Sequence, residues 1–239
     1  MKMIFRILGL YLLLCIYADT LTAQQPLRLQ FVNMLGDSLV QLGASYKNAF
    51  NEPLTIRNFK YYISHIQVKD DEGNWYTIAE DYFLVNEADS STKQINSNYN
   101  GKGITAIRFL LGVDSMHNIS GVQTGALDPA KGMFWVWNSG YVMAKLEGKS
   151  AASRSPGNYF TYHIGGYKSN ENAARWIELT LSSTKKSCHN IIIKADAGKW
   201  FIAAHDIKIA EHPVCHEPGN LAMQIADNYA QMFSIIEAN

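Results

Sequence analysis

Apolar residues alternate with polar ones, or run without interruption, along most of this chain. Leu27–Phe31 alternates cleanly, which predicts an edge strand with one buried face. Ile104–Leu111 is apolar on both faces except for Arg108, as expected of a central strand buried on both sides. Runs of the same kind predict further strands at Trp176–Leu181, Asn190–Ala195 and Trp200–Ile209.

One long apolar run changes phase in its middle. Between Phe59 and Val68 the apolar positions first occupy one face and then, after Ile63, the other. Because side chains alternate between the faces of a strand, such a change requires one extra residue. We therefore predict a β-bulge near Ser64 and His65.

The C-terminal segment follows a helical period instead. Its apolar residues are spaced by three or four positions, at Leu221, Ile225, Tyr229, Met232 and Ile236. We predict a helix over Asn220–Ile236. Together with many short strands separated by turn sequences, this predicts an all-β fold, an antiparallel β-sandwich with a docked C-terminal helix.

The first 23 residues have the layout of a secretory signal peptide. A basic start with Lys2 and Arg6 precedes the apolar run Ile7–Tyr17, and Ala23 is a small residue suited to cleavage. The run is about half the ~20 residues that a spanning helix needs. We expect residues 24–239 to form a single exported domain with no integral membrane segment after cleavage.

Charge and motif content narrow the class of protein. Residues 24–239 carry 19 basic and 20 acidic side chains, so the basic surface of a nucleic-acid binder is absent. We find no nucleophile elbow, no His-Glu-x-x-His motif and no phosphate-binding glycine loop in the sequence. Asp128 and Glu147 flank an aromatic run, but Glu147 looks like an ordinary strand-end residue. We therefore do not expect an enzyme.

Two cysteines remain after signal cleavage, Cys188 and Cys215. Export to an oxidising compartment favours a disulfide between them. Free thiols and a thiolate metal site are the alternatives, and the spacing does not decide among the three.

Aromatic residues and histidines supply the candidate chemistry. Trp135 and Trp137 lie two residues apart, so both rings leave the same face if the segment is extended. Imidazole is the commonest metal ligand in proteins and suits both copper and zinc. The histidines in predicted strands are His65, His163 and His205, whereas His212 and His216 are predicted to lie in a loop because Pro213 prevents a regular helix.

A hairpin across residues 148–158 sets a geometric limit on this site. Equal pairing across that loop would put His163 opposite Tyr141 or Val142. Trp137 would then lie about 15 Å from His163 at ~3.3 Å per residue. A bulge at residues 138–140 would shorten this separation; without one, the indoles and His163 are not co-ligands.

Several short motifs resemble the MbnP-like domain family. The most specific is Met133–Trp137 followed by His163–Gly165. The others are Gly112–Ser115, Asn118–Gly121, Gly125–Pro129, Lys145–Gly148, Phe59–Ile66 and Ile225–Ile235. The resemblance spans nearly all of the chain after the signal peptide.

The resemblance implies an exported bacterial protein, periplasmic or secreted, with copper as its cofactor. In copper-binding members a partner di-haem, peroxidase-like enzyme oxidises a tryptophan to kynurenine, which joins histidines around the metal. On this chain the implied site comprises His163, with His65 and His205 as further ligands, and either Trp135 or Trp137. The alternative is a non-metal β-sandwich that serves as a surface or partner-binding module.

Overall fold

A computed structural model describes residues 26–97, 99, 103–137, 140–185 and 188–238. The predicted signal peptide, residues 1–23, lies outside the described residues. Within the described ranges, no helix combines the length and the apolar character needed to cross a bilayer.

Strands dominate the described residues. The two α-helices are α1 (Ser115–Ile119) and α2 (Asn220–Tyr229), and short 3₁₀ turns connect several strands. In chain order the strands are β1 (Leu27–Leu35), β2 (Ser38–Leu39), β3 (Ser45–Lys47), β4 (Pro53–Lys69), β5 (Trp75–Ala79), β6 (Phe83–Asn86), β7 (Gln94–Ser97), β8 (Ile104–Leu111), β9 (Phe134–Trp135), β10 (Gly140–Ser150), β11 (Tyr159–Gly165), β12 (Arg175–Lys185), β13 (Asn190–Asp196), β14 (Val214–Cys215) and β15 (Phe233–Ala238).

The smaller sheet has the order β15-β13-β1-β2, and β7 also pairs with β1. The alternation in Leu27–Phe31 is confirmed, because its apolar side chains are buried and its polar ones exposed. The predicted edge position is wrong. β1 pairs in parallel with β13 and antiparallel with β2 and β7, so it lies inside the sheet.

The larger sheet has the order β12-β8-β4-β10-β11-β14. Its longest strand is the 17-residue β4, which also pairs with β3, β5 and β6. The central position of β8 is confirmed, since it lies between β12 and β4. The predicted bulge is confirmed as well: the register of β4 against β8 shifts between Ser64 and Gln67, and His65 has a φ of 50°.

The all-β prediction holds, but the sheets are mixed and not purely antiparallel. β1 pairs in parallel with β13, and β11 with β14. The strands curl into a half-barrel. Aromatic side chains from both sheets meet edge-on in the core at centroid distances of 5.1–6.2 Å, namely Phe31, Tyr61, Phe109 and Phe233.

The predicted C-terminal helix is shorter than expected. It ends at Tyr229, and residues 233–238 form β15 against β13. Phe233 enters the aromatic core, and pairing with β13 satisfies the backbone of this segment, so tertiary packing overrides the helical period. The docked helix itself is present, with Ala222, Ile225 and Tyr229 buried.

The predicted strand at Trp200–Ile209 is also wrong. Trp200 closes a 3₁₀ turn, and the following residues form bends around an isolated bridge. The amide side chain of Asn228 binds the carbonyl oxygens of Trp200 and His205 at 3.2 and 2.8 Å, and accepts from the His205 amide at 2.8 Å. These bonds replace a strand ladder, because they satisfy the loop backbone from the side of α2.

No disulfide joins the two cysteines. Cys188 precedes β13 in the smaller sheet, whereas Cys215 lies in β14 at the edge of the larger sheet. Both sulfurs are buried, and burial raises the pKa of the Cys215 thiol to about 11.

Gly148 marks the closest approach between β10 and its neighbours. A β-carbon at this position would lie 1.9 Å from the carbonyl oxygen of Thr55 and 2.6 Å from the ring of Phe160. We expect Gly148→Ala to lower the free energy of unfolding by about 3 kcal/mol, because backbone and core must both move. Denaturant unfolding measures this; Lys149→Ala next to it should cost about 1 kcal/mol or less, since Lys149 is exposed and loses only a cation–π contact with Tyr159. Equal losses in the two variants would contradict the packing argument.

Candidate functional site

Two histidines stack on the outer face of the larger sheet. β11 pairs in parallel with β14, with Tyr162 opposite Cys215, so the next positions bring His163 beside His216. Their imidazole rings are stacked, with centroids 4.3 Å apart and planes 23° apart. The sequence prediction placed His216 in a loop and missed this pair, because β14 is only two residues long.

Glu147 holds His163 from the neighbouring strand. Nε2 of His163 lies 2.5 Å from Oε1 of Glu147, and the amide of Asn58 donates to the other carboxylate oxygen at 3.0 Å. The hydrogen bond from His163 lowers the pKa of Glu147 to about 2, and Asn58 and Lys145 act in the same direction against the effect of burial. Glu147 is therefore a charged partner of His163, not an ordinary strand-end residue.

His216 has an unsatisfied ring nitrogen. Its Nε2 is buried and meets no hydrogen-bond partner in the described part of the chain. Burial, and then the neighbouring His163, lower the pKa of His216. Buried polar atoms normally have partners, so an orphaned imidazole nitrogen indicates a ligand or a function.

Trp135 lies over the same strand face as His163. The short strand β9 runs antiparallel to β10, with Trp135 opposite Gly140. A β-carbon on Gly165 would lie 2.7 Å from Cζ3 of Trp135, so the indole rests directly on this glycine. Gly165 and His163 share a face because they are two residues apart in one strand, which is about 7 Å.

The predicted hairpin is present, but its register is wrong. His163 lies opposite Lys145, not Tyr141 or Val142, and the ladder shifts between Val142 and Ala144. The chain also reverses before β10, which the sequence prediction did not include. This reversal, and not the hairpin, brings Trp135 back over β11.

Trp137 is the outer of the two indoles. Its ring centroid lies 5.4 Å from that of Trp135, and the planes are tilted by 40°. Trp135 is 6% exposed and Trp137 is 61% exposed. Both line a cavity of about 330 Å³ together with Gly140, Gly166, Tyr167, Lys168, Glu171, Glu217 and Pro218.

His65 belongs to a different cluster. Its Nε2 lies 3.1 Å from Oδ2 of Asp114, which also lies 2.9 Å from Nδ1 of His117 and accepts from the hydroxyl of Tyr82. Burial alone would raise the pKa of Asp114, but hydrogen bonds from Tyr82, the His117 amide and His65 outweigh it and hold the pKa well below its usual range. The sequence feature that could have revealed this cluster is the spacing of Asp114 and His117, three residues apart. Asp114 is the N-cap of α1, and its side chain accepts a hydrogen bond from the His117 amide.

His205 joins neither cluster. Its Nε2 lies 3.5 Å from Oδ2 of Asp227, a carboxylate that also binds Arg175 at 2.9 Å. The structure therefore separates the three predicted histidine ligands, His65, His163 and His205. It brings His163 alone near the tryptophans.

Neither cluster is a preformed multidentate metal site. Across the residues that the structure describes, no group of three or more histidine, cysteine, aspartate or glutamate side chains is arranged as such a site. The pair of His163 and His216 offers two imidazoles, one of which has a ring nitrogen without a partner among the described residues. An ion bound there would therefore have few protein ligands.

Comparisons with known proteins agree with this architecture. A structure of MbnP from Methylosinus trichosporium is similar, with a TM-score of 0.56 and 14% sequence identity over 82% of this chain and 83% of that chain. At this identity the likeness shows a shared fold. No curated protein matches the chain significantly. The MbnP family model matches residues 24–217, which is most of the chain, and the chain therefore belongs to the MbnP family.

Proposed function

We propose that this protein is an exported copper-binding protein that binds Cu(I) at the His163–His216 pair, where one ring turns out of the stack because the lone pair of an imidazole nitrogen lies in the plane of its ring. The observation that carries the proposal is the buried, partnerless Nε2 of His216 in a ring stacked on His163. Imidazole suits copper, and Cu(I) accepts low coordination numbers, so two nitrogens suffice.

The neighbours of the pair fit this role. Glu147 occupies Nε2 of His163, which leaves Nδ1 as the nitrogen that can face a metal. A carboxylate on the far side of a ligating histidine fixes its orientation and raises its basicity. Because the pKa of His216 is lowered, its ring stays neutral, and can bind a metal, at pH values just below the usual histidine pKa.

We nominate Trp135, not Trp137, as the tryptophan that is oxidised. The indole rests on Gly165 and shares the strand face of His163. An intact indole offers only an N–H donor, whereas kynurenine carries an aryl amine and a carbonyl that can meet a metal. The residue gains one oxygen and loses one carbon, which leaves as formic acid. Two equivalents of hydrogen peroxide balance this conversion, with water as the other product, and a partner such as a di-haem, peroxidase-like enzyme would catalyse it.

A second function is supported by a different observation. Val136 is 82% exposed and Trp137 61% exposed, and Trp137 lines the cavity beside Tyr167. An exposed aromatic pocket of this kind suits a partner-binding module without a metal. The two functions can be distinguished because only copper binding requires His163 and His216.

Copper affinity tests the histidine pair. We expect His163→Ala and His216→Ala each to weaken Cu(I) binding by about 100-fold or more, since even losing an outer partner of a ligand costs about 10–100-fold. Competition against a chromogenic Cu(I) chelator measures the affinity. His205→Ala is the matched control and should bind as the unmodified chain does; equal binding in all three variants would remove the pair from the site.

The mass of protein purified from its native host tests the choice of tryptophan. One conversion to kynurenine adds about 4 Da. We expect this shift to persist in Trp137→Phe and to vanish in Trp135→Phe. A mass shift that persists in Trp135→Phe would show that another residue is modified. A shift absent from every form would favour the partner-binding function.

Acid titration tests the pairing of Glu147 with His163. Since the folded-state pKa of Glu147 is depressed from 4.5 to about 2, its ionisation stabilises the fold above pH 4.5, and this contribution is lost as the pH falls toward 2. We expect Glu147→Gln to be less stable than the unmodified chain by roughly 2 kcal/mol near neutral pH and nearly equal to it near pH 2. Denaturant unfolding at several pH values checks this. In a His163→Ala background the difference should shrink, and an unchanged difference would contradict the pairing.

A further inference from the structure

Four donor atoms converge at the end of β8. Asp114 Oδ2 lies 3.1 Å from Nε2 of His65 and 2.9 Å from Nδ1 of His117. The hydroxyl oxygen of Tyr82 lies 2.7 Å from the same His117 nitrogen and 3.4 Å from the His65 nitrogen, and it donates to Asp114. Each atom is thus within hydrogen-bonding distance of at least two of the others.

Separate elements deliver these donors. His65 comes from the bulge in β4 and Tyr82 from the residues before β6, whereas Asp114 caps α1 and His117 lies within it. The bulge residue has a φ of 50°, which a non-glycine residue adopts only at an energetic cost. In this conformation the His65 imidazole lies within hydrogen-bonding distance of Asp114. Strained backbone conformations of this kind are concentrated at functional sites.

The spacing of the donors is close to that of a tetrahedral metal site. Zinc bonds to nitrogen and oxygen are about 2.0–2.1 Å long, which places neighbouring ligand atoms about 3.3–3.4 Å apart. The distances of 2.7, 2.9, 3.1 and 3.4 Å would lengthen by up to about 0.7 Å on metal binding, and the oxygens of Tyr82 and Asp114, which lie closest together, would separate the most. Hydrogen bonds join the donors directly to one another in this structure, so the donors must move apart to admit an ion.

The cluster is accessible to an ion. The side chains of His65, Asp114 and His117 are 32%, 26% and 38% exposed. The exposed ring of Trp176 lies 6.3 Å from that of His65 and forms one wall. An ion can therefore enter without unfolding a strand.

We propose that His65, Tyr82, Asp114 and His117 form a second metal site, which takes a divalent transition ion such as Zn²⁺. Two of the four donors are oxygens, from a carboxylate and a phenol, and such hard donors suit Zn²⁺ or Cu²⁺ better than Cu(I). The ion replaces the protons that the donors now share, and binding releases protons to solvent. No residue is shared with the His163–His216 pair, so either site can fail without the other.

Zinc titration of the full exported chain, freed of metal by a chelator, tests this. The titration is done in a His163→Ala/His216→Ala background, so that the proposed copper site contributes nothing. We expect one equivalent of Zn²⁺ to bind, with a heat that varies with the ionisation enthalpy of the buffer because protons are released. His117→Ala and His65→Gly should each weaken binding by about 100-fold or more, and Tyr82→Phe by about 10-fold or more.

The variants are chosen to stay folded. Glycine accepts the positive φ at position 65, alanine suits the helix α1, and phenylalanine keeps the ring of Tyr82. His212→Ala removes an exposed histidine outside the cluster and is the matched control. Absence of stoichiometric zinc binding, or binding that His117→Ala and His65→Gly leave unchanged, would overturn the proposal; binding lost equally in His212→Ala would overturn it too.

Discussion

The pairing of β4 with its neighbours is the constraint on which the rest of the structure depends. This 17-residue strand contacts β3, β5, β6, β8 and β10, so it fixes the register of most of the larger sheet. Its bulge at His65 divides it into two parts of opposite phase. One part supports β10, and through β10 the strands β11 and β14 that carry the histidine pair. The other part meets β8 and aims His65 at Asp114. Both candidate sites thus follow from one strand and one extra residue in it.

The two sites differ in what surrounds their imidazoles. His216 presents a buried nitrogen that has no partner among the described residues, and its neighbour His163 is fixed by the carboxylate of Glu147. In the cluster around Asp114 every donor is hydrogen-bonded, and the side chains of His65, Asp114 and His117 are partly exposed. The first arrangement favours an ion that accepts few ligands, and the second favours an ion that displaces protons from several hard or borderline donors.

Local patterns predicted the strands well and the long-range pairings poorly. Alternation located β1, continuous apolar runs located β8 and β13, and the phase change located the bulge at His65, because these signals reside within single strands. The helical period of the C-terminal segment failed after Tyr229, where packing of Phe233 and pairing with β13 prevail. The partner of His163 was missed because β14 spans two residues and pairs in parallel with β11 across a long connection, which leaves no periodic signal. The separation of His65 and His205 from His163 likewise depends on tertiary arrangement.

Trp135 rests on Gly165 in the strand that carries His163, and the proposed function depends on the pair formed by His163 and His216. X-ray absorption at the copper edge, measured on the copper-loaded protein, tests that claim most directly. The account predicts a low-coordinate Cu(I) centre with scattering from two imidazole rings. A centre without imidazole scattering, or one dominated by sulfur ligands, would contradict it.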